Sequence, residues 1–212
     1  MAVYTSINKS ELEDWLKNFS IGTLKNFKGI SSGVTNTNYF VETDTTKLIL
    51  TIFEENKLEE LPFYLDLMRF LASKNFPCPL PVINNNNEHL TLIKDKPAVL
   101  VSFLLGAEKE SITEDDCCSV GEALARLHTS AKDFSGKKKN SRNIDWISTK
   151  FNELKKRLSS SDQTIIEQEI DYQKNCLTDG LPSGIIHGDL FRDNVFFHQE
   201  KLSAFIDFYY AC

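Results

Sequence analysis

The chain has 212 residues, 41% of them apolar, with a formal net charge of -6 and a pI near 5.3. That is enough apolar material for one or two packed domains, and the acidic balance argues against binding driven by attraction to nucleic acid or anionic lipid. The five cysteines contain no CxxC pair, no apolar run approaches the roughly 18 residues of a membrane span, and no N-terminal stretch has the form of a signal peptide, so a reduced, cytoplasmic protein acting on small molecules is expected.

In chain order, Ser10-Glu11-Leu12-Glu13 reads as a capping box that opens a short helix with Leu12, Trp15, Leu16 and Phe19 on one face. Extended segments follow at Thr23 to Ile30, Tyr39 to Val41 and Leu48 to Phe53, which predict antiparallel strands. Between the first two, Ser31 to Asn38 includes Ser32, Gly33, Val34, Thr35 and Asn36. Backbone N–H groups of such a loop can face phosphate oxygens, and the same composition suits a plain β-turn. Pro62 starts a helix that turns Phe63, Leu67, Phe70 and Leu71 inward and stops near Asn75. Leu90 to Ile93 and Ala98 to Leu105 form a second hairpin, and the latter run is apolar throughout, which predicts a central strand covered on both faces.

Gly106-Ala107-Glu108 marks the division between an N-terminal lobe, residues 1–103, and a C-terminal lobe, residues 104–212. Thr113-Glu114-Asp115-Asp116 is a second capping box, and Val120, Ala123, Leu124, Leu127 and Ala131 give the buried side of its helix. Ile147, Phe151, Leu154 and Leu158 predict another helix, and a third runs from Asp162 to about Leu177.

The chemistry concentrates near the end. Ile185-Ile186 and Val195-Phe196-Phe197 are strand-like runs around a polar turn, so Asp189 leaves one strand, Asn194 opens the next, and Asp207 closes the strand after that. The steps of five residues from Asp189 to Asn194 and thirteen from Asn194 to Asp207 match a phosphoryl-transfer template. In it one Asp takes the hydroxyl proton, and an Asn and a second Asp hold magnesium. Asp189 is therefore the candidate base, Asn194 and Asp207 the candidate metal ligands, and His187 a brace for the loop. Asp193 is expected to be a structural or surface carboxylate.

His187-Gly188-Asp189 with Asn194, and Ile206-Asp207-Phe208, resemble the Brenner-type motif of the aminoglycoside phosphotransferase and choline kinase superfamily, relatives of protein kinases. Phe76-Pro77-Cys78-Pro79, the run Val120 to His128 and the run Ser32 to Tyr39 resemble that superfamily's helix-to-strand step, a helix and its nucleotide loop. Within it the chain is similar to the bacterial homoserine kinase family at Met1-Ala2-Val3-Tyr4-Thr5, Phe27-Lys28-Gly29-Ile30, Leu61-Pro62-Phe63-Tyr64, Asp189 to Phe197 and Ile206 to Cys212.

The resemblance implies an α+β, bilobal protein-kinase-like fold with an antiparallel N-lobe sheet plus a helix and a mostly helical C-lobe. It also implies ATP and Mg2+ as cofactors and L-homoserine as phosphoryl acceptor. Adenine would sit on backbone groups near Ser102, Phe103 and Leu104, and Arg192 is a candidate for the acceptor's carboxylate. The strand position of the usual kinase lysine holds Thr51, with Lys47 four residues earlier on the same face, and Glu59, Glu60 and Asp66 are the acids near the following helix. Family members continue for roughly a further domain's worth of helices, so the C-lobe is expected to be incomplete at Cys212 and turnover from residues 1–212 alone weak. The competing readings are a choline, aminoglycoside or sugar kinase of the same superfamily, and a nucleotide-binding module without catalysis.

Overall fold

Alternating apolar and polar residues set the first layer. In the computed structural model, which describes residues 3–33, 35–176 and 180–212, five strands pair antiparallel: β1 (Leu24–Gly29), β2 (Thr37–Thr43), β3 (Lys47–Ile52), β4 (Thr91–Ile93) and β5 (Lys96–Ser102). Their order is β1-β2-β3-β5-β4, so β5 is an inner strand. Met1, Ala2, Val34 and Leu177, used in the sequence reading, lie outside the described residues. The chain divides into two compact units, Met1–Lys137 with Ile185–Ala211, and Lys138–Gly184 with Cys212. The step from 103 to 104 lies inside the first unit.

In that unit the two faces of the sheet bury two different cores, because side chains of a strand alternate sides. Tyr39, Val41, Leu48, Leu50, Ile52, Ala98 and Leu100 pack with Leu12, Trp15 and Leu16 of α1 (Lys9–Leu16). Val99, Val101 and Phe53 face the other way, into a core shared with α2 (Leu61–Ser73), α3 (Glu114–Ser130) and the hairpin of β6 (Val195–His198) and β7 (Lys201–Phe205). The unbroken apolar run of β5 is thereby used on both sides.

Four details depart from the sequence reading. The N-cap of α1 is Asn8, not Ser10: Asn8 Oδ1 accepts from the Glu11 N–H at 3.0 Å, and the Glu11 carboxylate accepts from the Asn8 N–H at 2.8 Å. Both spacings satisfy a capping box, but only this one places Ile7 just before the cap, where it staples onto Leu12 in the core. β5 ends at Ser102 because its partner β3 begins at Lys47, whose carbonyl takes the Phe103 N–H at 3.2 Å. In α2, Tyr64, Leu65 and Met68 are buried along with Leu67 and Leu71, while Phe63 and Phe70 are half-buried against the Phe134 ring. Ile185-Ile186 belongs to no strand, and Asp207 lies two residues past β7.

α3 opens on the anticipated box, with Thr113 as cap and Asp116 as its third residue. In the second unit, α4 (Ile144–Leu154) is capped by Asn143 and α5 (Ser160–Asn175) by Ser159, and Phe151 and Ile170 are their buried residues. Among the described residues no helix is long and apolar enough to cross a membrane.

Candidate active site

The hairpin β6–β7 is tied into the rest of the first unit by three backbone hydrogen bonds. Its turn, Gln199-Glu200, takes positive φ at both residues (49° and 63°) and so matches the twist of the strands without glycine. Ala107 and Phe197 exchange backbone hydrogen bonds of 3.1 and 2.8 Å, and the Phe205 N–H donates to the Pro77 carbonyl at 3.0 Å. Phe205 and Phe208 are fully buried, each worth about 1.5–3 kcal/mol of apolar burial.

On this base the three predicted groups converge. Asn194, buried after the short 3₁₀ turn Arg192–Asn194, donates from Nδ2 to the Asp189 carbonyl at 2.7 Å and to Asp189 Oδ2 at 3.2 Å. Its own carbonyl accepts from the Ile206 N–H at 3.0 Å, which draws the Asp207 segment alongside. Asp207 has φ 62°, a left-handed conformation uncommon outside glycine. Burial first, then the charges of Asp189 and Asp193, push its carboxyl up to about 6, against a hydrogen bond from the Tyr209 N–H.

His187 is buried. Its Nε2 donates to the Ile206 carbonyl at 2.8 Å, while its Nδ1 accepts from the Asp189 N–H at 3.3 Å. These two bonds select one neutral tautomer, and burial pushes the ring's pKa down. Gly188 has φ 81°, and a Cβ there would lie 2.3 Å from the Tyr210 carbonyl oxygen, so only glycine lets these two backbones touch.

The donor set suits a hard dication. Two carboxylates and the Asn194 amide oxygen, left over once Nδ2 turns to Asp189, offer the kind of oxygen donors such an ion takes. Among the described residues no group of three or more His, Cys, Asp or Glu is arranged for a metal. Magnesium asks for less, since it keeps waters and takes one or two carboxylates plus ligand phosphates.

On the sheet, Ser32 and Gly33 are exposed, Thr35 half-buried and Asn36 buried, its Oδ1 accepting from the Glu54 N–H at 3.4 Å. Thr51 is buried, pairs with Asn38 across β2–β3 and donates its hydroxyl to Asn38 Oδ1 at 2.8 Å. At the end of β5 the Ser102 N–H donates to the Leu80 carbonyl at 2.9 Å and the Phe103 N–H to that of Lys47, which leaves Leu104 as the backbone donor at this step. Phe103 meets Phe40 edge-on at 5.3 Å. Arg192 donates to the Glu110 carbonyl at 3.1 Å and lies 3.9 Å from the Glu108 carboxylate.

Two features escaped the sequence reading. Glu54 accepts from Thr37 Oγ1 at 2.6 Å, from Thr5 Oγ1 at 3.1 Å and from the Lys96 ammonium, and this cluster anchors the N-terminal segment to the sheet. Burial alone would raise the Glu54 pKa, but the bonds from Lys96, Thr37 and Thr5 outweigh it and hold the pKa below 4.5. Tyr209 is the other. Its ring lies edge-on to Phe53 at 4.9 Å and to Tyr64 at 6.0 Å. No local pattern betrays either, because each joins residues from distant parts of the chain.

A model of the phosphotransferase enzyme family matches residues 26–212. The chain belongs to that family. This family member is 40% identical, over its whole length, to the homoserine kinase of Methylobacillus flagellatus, of which it covers 66%. It is also 40% identical to the homoserine kinase of Neisseria meningitidis serogroup B, of which it covers 70%. The chain thus spans about two thirds of the length of these curated relatives. In fold it is similar to an amicoumacin kinase solved in complex with AMP-PNP and Ca2+, with a TM-score of 0.72 at 18% identity over 97% of this chain and 65% of that one. The antiparallel sheet with helices and the kinase-like fold implied by the motif are the ones found.

Proposed function

We propose that this protein is a small-molecule kinase that transfers the γ-phosphoryl group of ATP to the hydroxyl of L-homoserine, giving O-phospho-L-homoserine for threonine biosynthesis in the cytoplasm. The observation that carries the reading is the convergence of Asp189, Asn194 and Asp207 through the Asn194 amide and backbone, in a chain 40% identical to homoserine kinases.

Phosphoryl transfer asks for placement and charge neutralisation more than for covalent help. Asp189 is the group that orients the acceptor hydroxyl and takes its proton. Asn194 and Asp207 would hold Mg2+, which when bound neutralises charge on the phosphates. His187 keeps the Asp189 backbone in place. Ser32, Gly33, Thr35 and Asn36 would face the phosphates, Thr51 supports that loop through Asn38, and Ser102 to Leu104 would take the adenine. Arg192 is the cation for the acceptor's carboxylate.

An ADP-release assay on the full-length protein, with homoserine, choline and kanamycin as acceptors, tests the assignment. Turnover with homoserine alone is expected. Turnover with choline or kanamycin but not homoserine would move the protein to another acceptor class, and nucleotide binding without turnover on any acceptor would make it a binding module.

A further inference from the structure

The β6–β7 hairpin opens just after Asn194 and leads to Asp207. Phosphoryl transfer tolerates little displacement of such groups, since a misplacement of about 1 Å can cost about 10²-fold in rate. Whatever fixes this hairpin against the 102–104 step therefore bears on the chemistry. Residues 106–110, which follow that step and lead toward α3, lie along β6 and do so.

Gly106 has φ 126°, and a Cβ there would lie 2.5 Å from Ser203 Oγ and 2.8 Å from the Phe197 carbonyl oxygen, so only glycine fits against the hairpin here. Ala107 pairs with Phe197 next to it. Lys109 then has partners on three elements. Its ammonium lies 2.9 Å from Asp116 Oδ1 in the first turn of α3, 2.7 Å from Glu200 Oε2 in the β6–β7 turn, and 4.8 Å from the centre of the Phe197 ring on β6.

These contacts differ in weight. The Glu200 side chain is 87% exposed, so that pair is screened by water and contributes little. The side chains of Lys109 and Asp116 are only 17% and 6% exposed, the most enclosed ion pair among the described residues, and removing one partner would leave the other charge uncompensated. Asp116 is a fixed anchor, because its second oxygen accepts from the Thr113 N–H at 3.0 Å and from the Thr113 hydroxyl at 2.8 Å in the capping box of α3. The Phe197 ring that meets the ammonium is buried. Phe197 follows Asn194 on the same strand, and Asn194 in turn holds the Asp189 backbone and the Ile206 N–H.

We propose that Lys109 is a positioning residue that registers β6, and with it the candidate ligands Asn194 and Asp207, against α3 and the 102–104 step. This rests on the kinase reading above, and the ligand concerned is the magnesium complex of ATP. Lys109 acts through Phe197 and Asn194 rather than on the nucleotide.

The test is steady-state kinetics of the full-length protein with ATP and homoserine, titrated with Mg2+ well below the melting midpoint of every variant, alongside calorimetric melting. Lys109→Met keeps a long stem and removes the charge. It should lower kcat roughly 10- to 100-fold and raise the half-saturating Mg2+ concentration about tenfold, the low end of what ligand-supporting groups cost a metal site. The KM for homoserine should not change. The melting midpoint should fall by roughly 4–12 °C, because the Asp116 carboxylate is left unpaired. Lys109→Arg keeps a cation that spans both carboxylates and should behave like the wild type. In the double variant Lys109→Met/Asp116→Asn the unpaired charge is gone and Thr113 keeps an acceptor, so melting should recover while kcat and the Mg2+ dependence stay impaired.

The proposal is overturned if the double variant regains turnover together with stability, as a purely structural role would produce. It is also overturned if Lys109→Met has wild-type kcat and Mg2+ dependence, or if Lys109→Arg is as impaired as Lys109→Met. Each of these results leaves the kinase reading intact. A wild type with no turnover on homoserine would overturn that reading and this proposal together.

Discussion

Gly188→Ala adds one methyl group at the closest backbone contact of the site. The new Cβ would lie 2.3 Å from the Tyr210 carbonyl oxygen and 3.0 Å from its carbon, whereas an unstrained C···O contact needs about 3.3 Å. The two segments must therefore part by about 1 Å. The φ of 81° costs a non-glycine residue about 1–2 kcal/mol, and forcing packed groups apart adds about 1–3 kcal/mol. The expected loss is about 2–5 kcal/mol, which at about 2–4 °C per kcal/mol lowers the melting midpoint by roughly 4–20 °C. Because the contact joins the turn before Asp189 to the segment after Asp207, turnover should fall with it. Gly121→Ala is the control. Gly121 lies in α3 with nothing within 4 Å of a new Cβ, so the same methyl should stabilise by about 0.5–1 kcal/mol. Calorimetric melting of both variants decides. A Gly188→Ala protein that melts with the wild type, or a Gly121→Ala protein that melts well below it, would refute the reasoning.

Asp189→Asn should lower turnover by about 10²–10⁴-fold while MgATP affinity stays near wild type, and Asp207→Asn should weaken magnesium-dependent nucleotide binding instead; steady-state kinetics and calorimetry separate the two, and wild-type turnover in Asp189→Asn would remove it as the base. Glu54 has a folded pKa below 4.5, so its contribution to stability is complete above that value and is lost as the pH falls through the lower, folded one. The melting difference between wild type and Glu54→Gln should accordingly be widest near neutrality and shrink below pH 4.5, and a difference that does not vary with pH would contradict it. Asn8→Ala removes the capping box of α1 and should cost about 0.5–2 kcal/mol, read by denaturant titration, with Ser10→Ala nearly silent.

What could be read from the residues alone was whatever local order encodes. The Asp189, Asn194 and Asp207 spacing reports on a turn and a hairpin that the chain builds from neighbouring residues. The alternation in β2 and the solid apolar run of β5 report on which faces are covered. Failures begin where a choice depends on partners. Asn8 and Ser10 offer equally good boxes, and the staple of Ile7 on Leu12 selects the first. Ile185-Ile186 has strand-forming residues but no strand beside it, so it stays irregular. The Glu54 cluster gathers Thr5, Thr37 and Lys96, and Tyr209 finds Phe53 and Tyr64 across most of the chain. These contacts exist only after folding, so composition and periodicity carry no trace of them.

The first unit is assembled from two separate stretches of sequence, Met1–Lys137 and Ile185–Ala211. On the ribosome, α2 and the inner strands emerge long before Phe205 and Phe208, the fully buried rings that complete their core. Until then the nascent chain carries an unfinished apolar face, the condition under which chaperones bind and intermediates aggregate. The residues proposed to do the chemistry thus sit in the same late stretch of sequence that completes this core.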